Sequence, residues 1–153
     1  MSKRFILIAM VCLLVLAVCQ PVLAQSETNS QAELNASQFY VATNGNDSNP
    51  GTIDRPWLTI QKAASTAQAG TTVNIRGGTY HESVSFANSG TQSSPITFRN
   101  YSGETVVIQA DDWVGLLLQG VNWLVIQGLD VSGASVHGLA IRNASNNINA
   151  VFL

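Results

Sequence analysis

Asp111 and Asp112 stand side by side ahead of Trp113, and paired carboxylates in a turn offer the hard oxygens that calcium prefers. Asp130, between the apolar Leu129 and Val131, is a third candidate metal ligand projecting outward from an alternating strand. Calcium takes about six to eight oxygens and no further acid is close in sequence, so solvated polar corners account for the same letters. Arg99 and Arg142 also fall at positions expected to face outward, where a guanidinium can grip a carboxylate, such as that of a uronate, through two parallel bonds. Gln119 precedes Arg142 on the same predicted face, and His137 is placed to act as a base or a sugar contact. Trp113 could stack on a sugar ring or pack at a corner. Together these residues suit a ring-shaped anionic ligand, although ordinary solvated side chains explain each of them singly.

The chain of 153 residues allows one domain at most. Lys3 and Arg4 precede an uncharged apolar run, Phe5 to Cys19, and Val22-Leu23-Ala24 supplies a small-residue cleavage site. That is the layout of a secretory signal over residues 1–24, too short and wrongly flanked for a spanning helix. Beyond it remain five basic and nine acidic side chains, a net charge of −4, the opposite of what a nucleic-acid binder needs. Both cysteines, Cys12 and Cys19, lie in the signal, so disulfide scaffolds, zinc-thiolate sites and cysteine nucleophiles are excluded from the exported part. Leu16 to Cys19 has the outline of a lipoprotein box, but Val18 is bulkier than that box accepts, and soluble export to the extracellular space or cell surface is the expectation. Oligomeric state leaves no trace in the sequence.

Residues 25–38 are rich in Gln, Ser, Asn and Ala with one Leu, too little apolar surface to offset the entropy of ordering them, and read as a flexible spacer. Phe39 to Thr43 reads as a strand, and Asn44 to Thr52 as a loop of almost pure turn chemistry. Oxygen-bearing Asn46, Asp47 and Asn49 there suit a cation loop, or Asx turns before a chain reversal. Ile60, Ala63, Ala64 and Ala67 recur at helical spacing, with Thr59 as N-cap and Gly70 beyond the end. From Thr71 onward the pattern alternates with period two in Val73/Ile75, Val84/Phe86, Ile96/Phe98, Val106/Ile108, Leu116/Leu118, Leu124/Ile126, Leu129/Val131 and Leu139/Ile141. No Asn-Gly hairpin signal separates these strands, and no helix remains to cross between parallel ones.

A repeat resolves the connection. Gly115-Leu116-Leu117-Leu118-Gln119 recurs as Gly138-Leu139-Ala140-Ile141-Arg142, 23 residues later. Taking every third run as one stack groups Val84/Phe86 with Leu116/Leu118 and Leu139/Ile141, and Ile96/Phe98 with Leu124/Ile126. The third stack becomes Val73/Ile75, Val106/Ile108 and Leu129/Val131. Three short strands per coil, each coil burying its apolar side against the next, define an all-β parallel solenoid of about three coils over residues 39–153. An antiparallel sandwich of eight short strands is the alternative. Asn146-Asn147 lies where such a coil turns and reads as a structural amide pair.

The segments YVATNGNDSNPGT, RPWLTIQKA and AGTTVNIRGGTY, followed by SPITFRNYSGETVVIQA and GLDVSGASVHGLAIRNASNN, resemble secreted right-handed parallel β-helix proteins of the pectate-lyase-like group. The resemblance extends to polysaccharide lyases of family nine and chondroitinase-B-like lyases, and implies the fold more strongly than any one activity. It implies a short helix capping the open N-terminal end, an acidic polysaccharide or other glycan as partner, and calcium as cofactor of the full-length protein. The aspartate cluster and lysine base of the family-nine lyases come from coils beyond Leu153, and Lys62, the single lysine after residue 24, belongs to the cap helix. No catalytic residue is therefore assigned. Asn146 to Leu153 ends in an apolar strand without a polar cap, so the chain reads as the N-terminal portion of a longer protein, inactive alone. The competing expectation is a non-catalytic surface or adhesion solenoid that binds glycans or proteins.

Overall fold

The computed structural model describes residues 38–142 together with the backbone of residues 148–151, all within one compact unit, Ala36–Leu153. The expected signal at 1–24, most of the expected spacer at 25–38 and the Asn146-Asn147 turn lie outside the described residues. Strand β1 (Gln38–Val41) is followed by helix α1 (Ile60–Thr66), and then the chain winds. Its first coil is β2 (Thr72–Ile75), β3 (Gly78–His81) and β4 (Val84–Phe86). The second is β5 (Ile96–Asn100), β6 (Val106–Gln109) and β7 (Val114–Gln119). The third is β8 (Leu124–Gln127), β9 (Leu129–Ser132) and β10 (His137–Arg142), and β11 (Ile148–Val151) opens the next turn.

Every strand pairing among the described residues is parallel, and apart from β1 with β2 each joins strands of successive coils. Three sheets result, ordered β1-β2-β5-β8-β11, β3-β6-β9 and β4-β7-β10. This is the all-β parallel β-helix expected from the repeat, with a short capping helix, and the antiparallel sandwich is excluded. Register places Val84, Leu116 and Leu139 directly over one another, and likewise Val73, Phe98 and Ile126. With Ile96, Ile108, Leu118, Leu124 and Leu129 these side chains fill one continuous core. Each fully buried aliphatic or aromatic side chain contributes about 1.5–3 kcal/mol of transfer free energy. In the last coil Leu139 and Ile141 register with Leu116 and Leu118, but Ile141 is 50% exposed because no further described strand covers it.

One stack differs from expectation. Val73 and Ile75 do not underlie Val106 and Leu129, because β2 pairs with β1 and β5 in the five-stranded sheet. The place beneath β6 is taken by β3, with Gly78 opposite Val106 and Tyr80 opposite Ile108. β3 carries no run of alternating aliphatics. Its one buried side chain is Tyr80, whose hydroxyl donates to the Arg76 carbonyl at 2.7 Å. Between β8 and β9 the corner is a single residue, Gly128, at φ +63°, and a Cβ there would collide with the Asn100 side chain of the coil below.

Helix α1 closes the N-terminal end as the apolar spacing predicts, with Ile60, Ala63 and Ala64 buried on it and Ala67 buried just after it. Thr59 caps it by accepting from Lys62 N at 3.0 Å. The Gln61 amide then behaves as a substitute strand against the exposed edge of β4, accepting from Ser85 N at 2.8 Å and donating to Ser85 O at 3.0 Å. Asn88 donates to the Ser65 and Ala67 carbonyls at the other helix end. Glu82 accepts from the first helical amides, Ile60 N at 2.8 Å and Gln61 N at 2.9 Å. Asp47 accepts from Leu58 N, Thr59 N and the Thr59 hydroxyl, while Asn46 closes an Asx turn on Ser48 N. Asn46 Oδ1 and Asp47 Oδ1 in the 44–52 loop thus accept from backbone amides, and Asp47 Oδ2 from the Thr59 hydroxyl.

Replacing Leu116 by Ala removes a side chain with no exposure, clamped between Val84 and Leu139, and is expected to destabilise the chain by about 2–5 kcal/mol in chemical denaturation. A loss well below 1 kcal/mol would mean that this column is not packed. Burial raises the Glu82 carboxyl above the ordinary glutamate range, against its two backbone amide bonds, and Asp47 and Asp111 add like charge. The folded state therefore favours neutral Glu82 relative to the unfolded chain. That contribution is complete below the unfolded value and is lost as pH rises through the raised one. In denaturation series, the stability of the wild type relative to Glu82→Gln should fall as pH climbs through and just above the ordinary glutamate range. A difference growing with pH would contradict this assignment.

Candidate functional site

The outer face of the β4-β7-β10 sheet is built by the residues that alternate with the core: Ser85, Leu117 and Ala140 in one register row, Gln119 and Arg142 in another. Trp113 enters β7 from the β6–β7 turn and is 40% exposed. Its backbone is fixed from two sides, since Asp112 Oδ1 accepts from Trp113 N at 2.7 Å and its carbonyl accepts from Val136 N and His137 N, both at 3.1 Å. Arg142, at the far end of β10, places its guanidinium 4.9 Å from the centroid of the Trp113 ring. A guanidinium held over an indole keeps its N–H edge available for a planar acceptor. Beside this pair a groove of about 120 Å³ is lined by Ser83, Ser85, Asp112, Trp113, Val114 and Leu117.

Three of the residues singled out from the sequence therefore belong to one sheet, Gln119, His137 and Arg142, and Trp113 adjoins it just ahead of β7. Gln119 is the register partner of Arg142, and His137 the partner of Val114. Arg99 does not join them. It lies on β5 in the five-stranded sheet, its Nε donating to Asn74 Oδ1 at 3.0 Å. Ser83 and Ser85, which line the groove, carried no signal beyond being small and polar between Val84 and its neighbours.

The acids are dispersed. Asp111 accepts from the Ser83 hydroxyl at 3.3 Å in the β6–β7 turn, and Asp112 holds Trp113 N. Asp130 lies on β9, in a groove of about 510 Å³ with Asn100, Glu104, Thr105 and Gln127. Glu104 in that groove is paired with Arg76 at 3.2 Å and accepts from Gly77 N, contacts that hold its carboxyl below the ordinary range. Among the described residues no three of His, Cys, Asp or Glu gather as a metal would require. Lys62 is remote from this chemistry on α1, its Nζ 5.9 Å from the Trp57 ring.

YwoF of Bacillus subtilis, an uncharacterised protein, is 37% identical over 136 residues, covering 80% of this chain and 29% of its own length. Pectate lyase PEL9 of Emericella nidulans is 42% identical over 130 residues, 73% of this chain and 32% of that protein. Pectate lyase L of Paenibacillus polymyxa is 34% identical over 141 residues, 84% of this chain and 31% of that protein. The chain thus spans about a third of the length of these curated relatives. The family model described as Pel9A-like, right handed beta helix region, matches residues 39–152. With every described coil inside that match, the chain belongs to the Pel9A-like right-handed β-helix family.

Proposed function

We propose that this chain forms the opening coils of an exported protein that binds acidic polysaccharide and, as a whole, cleaves it by β-elimination. The observation that carries the reading is the Trp113–Arg142 pair on the outer face of the β4-β7-β10 sheet. An exposed indole offers an apolar plane for the C–H face of a pyranose, and the stacked guanidinium offers a fork for the carboxylate of a uronate. Gln119 extends that face with an amide, and the adjoining groove leaves room for a sugar edge. Two relatives bear the name pectate lyase, which fits a polyuronate as the ligand. The basic residues ahead of the apolar run at the N-terminus support export. No helix among the described residues is long and apolar enough to cross a membrane.

β-Elimination needs the uronate carboxylate neutralised and the adjacent C–H proton removed by a positioned base. Arg142 supplies positive charge toward the first requirement. The reading assigns no catalytic base to these coils, whose work in it is to bind and orient the polymer. The protein should bind polygalacturonate and not a neutral galactan in affinity electrophoresis. Trp113→Ala and Arg142→Gln should each weaken that binding about fivefold to tenfold, equivalent to roughly 1–1.4 kcal/mol, with thermal midpoints little changed. Equal retention of the neutral polymer, or indifference to both substitutions, would overturn the proposal.

A further inference from the structure

A second polar face lies on another sheet. Register aligns Tyr40, Asn74, Arg99 and Gln127 across β1, β2, β5 and β8, on the outside of the five-stranded sheet. Asn74 alternates with the inward Val73 and Ile75, so it points outward, yet it is 2% exposed. Arg99 Nε donates to Asn74 Oδ1 at 3.0 Å, and Asn74 Nδ2 donates to Gln38 Oε1 at 3.4 Å, an oxygen shared with the Tyr40 hydroxyl. The guanidinium is therefore anchored through Nε by a buried amide. Among the described residues no carboxylate pairs with it, whereas Arg76, the neighbouring cation, is neutralised by Glu104. Tyr40 packs edge-on to Tyr101 at 5.8 Å, and Arg76 lies 5.1 Å over Tyr101, so the aromatic end of the row is also fixed.

We propose that this row is an accessory binding track for an acidic polysaccharide, separate from the Trp113–Arg142 face, with Arg99 as its carboxylate fork and Tyr40 as its stacking surface. Strands in a sheet are about 4.8 Å apart, which puts Tyr40 roughly 9.5 Å from Arg99 along the winding axis. A uronate oligomer laid along that axis presents one pyranose to the ring and a carboxylate two rungs on to the arginine. Both ends of an Arg–carboxylate fork are planar, so the pre-oriented guanidinium loses little freedom on binding. The choice of a uronate rests on the function proposed above, while the site itself rests on separate residues.

The test is titration with trigalacturonate, which is short enough to occupy one face at a time, against the wild type, Arg142→Gln, Arg99→Gln and the double variant. Gln at 99 can still donate to Asn74, so the thermal midpoint should hold while the charge is lost. Two binding events are expected in the wild type, with Arg142→Gln removing one and Arg99→Gln the other by a weakening of about fivefold or more. Tyr40→Phe should keep the second event and Tyr40→Ala should weaken it. Residual binding in Arg142→Gln that Arg99→Gln leaves untouched would overturn the accessory track. Binding that depends on Arg99 but never on Arg142 would instead keep the track and sink the earlier proposal.

Discussion

The structure depends on register. Because each strand lies parallel and directly over its counterpart in the previous coil, every apolar side chain that points inward finds cover only from the rungs on either side. A slip of one residue would turn Leu116 and Leu118 outward and Leu117 inward, so the alternation itself enforces the alignment. Among the described residues α1, rather than an earlier full rung, covers the first coil. Its Ile60 and alanines cover the core, while Gln61 satisfies the amide and carbonyl of Ser85 that an absent strand would have met. The small residues are what permit this: alanines let a helix approach the end of a narrow coil where larger side chains would hold it away.

The same rule that packs the inside assembles the outside. Residues distant in sequence become neighbours once their strands stack, which is how Arg142 comes to lie over Trp113 and Arg99 beside Asn74. Neither pair is held by a long loop or a mobile arm. Each sits on or directly beside strands whose inward faces are fixed by the core, with Asp112 accepting from the Trp113 backbone and Asn74 from the Arg99 guanidinium. A polymer that runs along the winding axis meets such groups at the spacing of the rungs, a match that a globular pocket does not offer.

Much of this was legible beforehand, and the exceptions have physical causes. The β4-β7-β10 stack could be read because Gly115 to Gln119 and Gly138 to Arg142 repeat the same letters. The cap helix was legible from three alanines and an isoleucine on one face. The third stack is not legible because β3 offers glycine, threonine, one tyrosine and histidine, and Gly77-Gly78 resembles a turn rather than a strand start. With β3 hidden, period-two counting slides by one strand and groups Val73/Ile75 with Val106/Ile108 rather than with Ile96/Phe98. The outward row of Tyr40, Asn74 and Arg99 depends on that same corrected register, so its members could not have been joined from the sequence. Trp113 and Arg142 were each visible as candidates, but their contact is a product of side-chain reach along the sheet and left no spacing to detect.

The most direct measurement of this stacking is a cross-link between adjacent coils. Beyond residue 24 the chain has no cysteine, so a Leu117→Cys, Ala140→Cys double variant would carry the only two thiols of that part, on register partners facing the same way. Neighbouring parallel strands bring such residues within the Cα separation of about 4.4–6.8 Å that a disulfide spans. The account predicts nearly complete loss of free thiol on mild oxidation of the monomer, and no such loss when Ala140→Cys is combined with Asp130→Cys on a different sheet. Free thiols persisting in the Leu117/Ala140 pair, with the fold intact, would contradict the winding on which both proposed glycan faces are built.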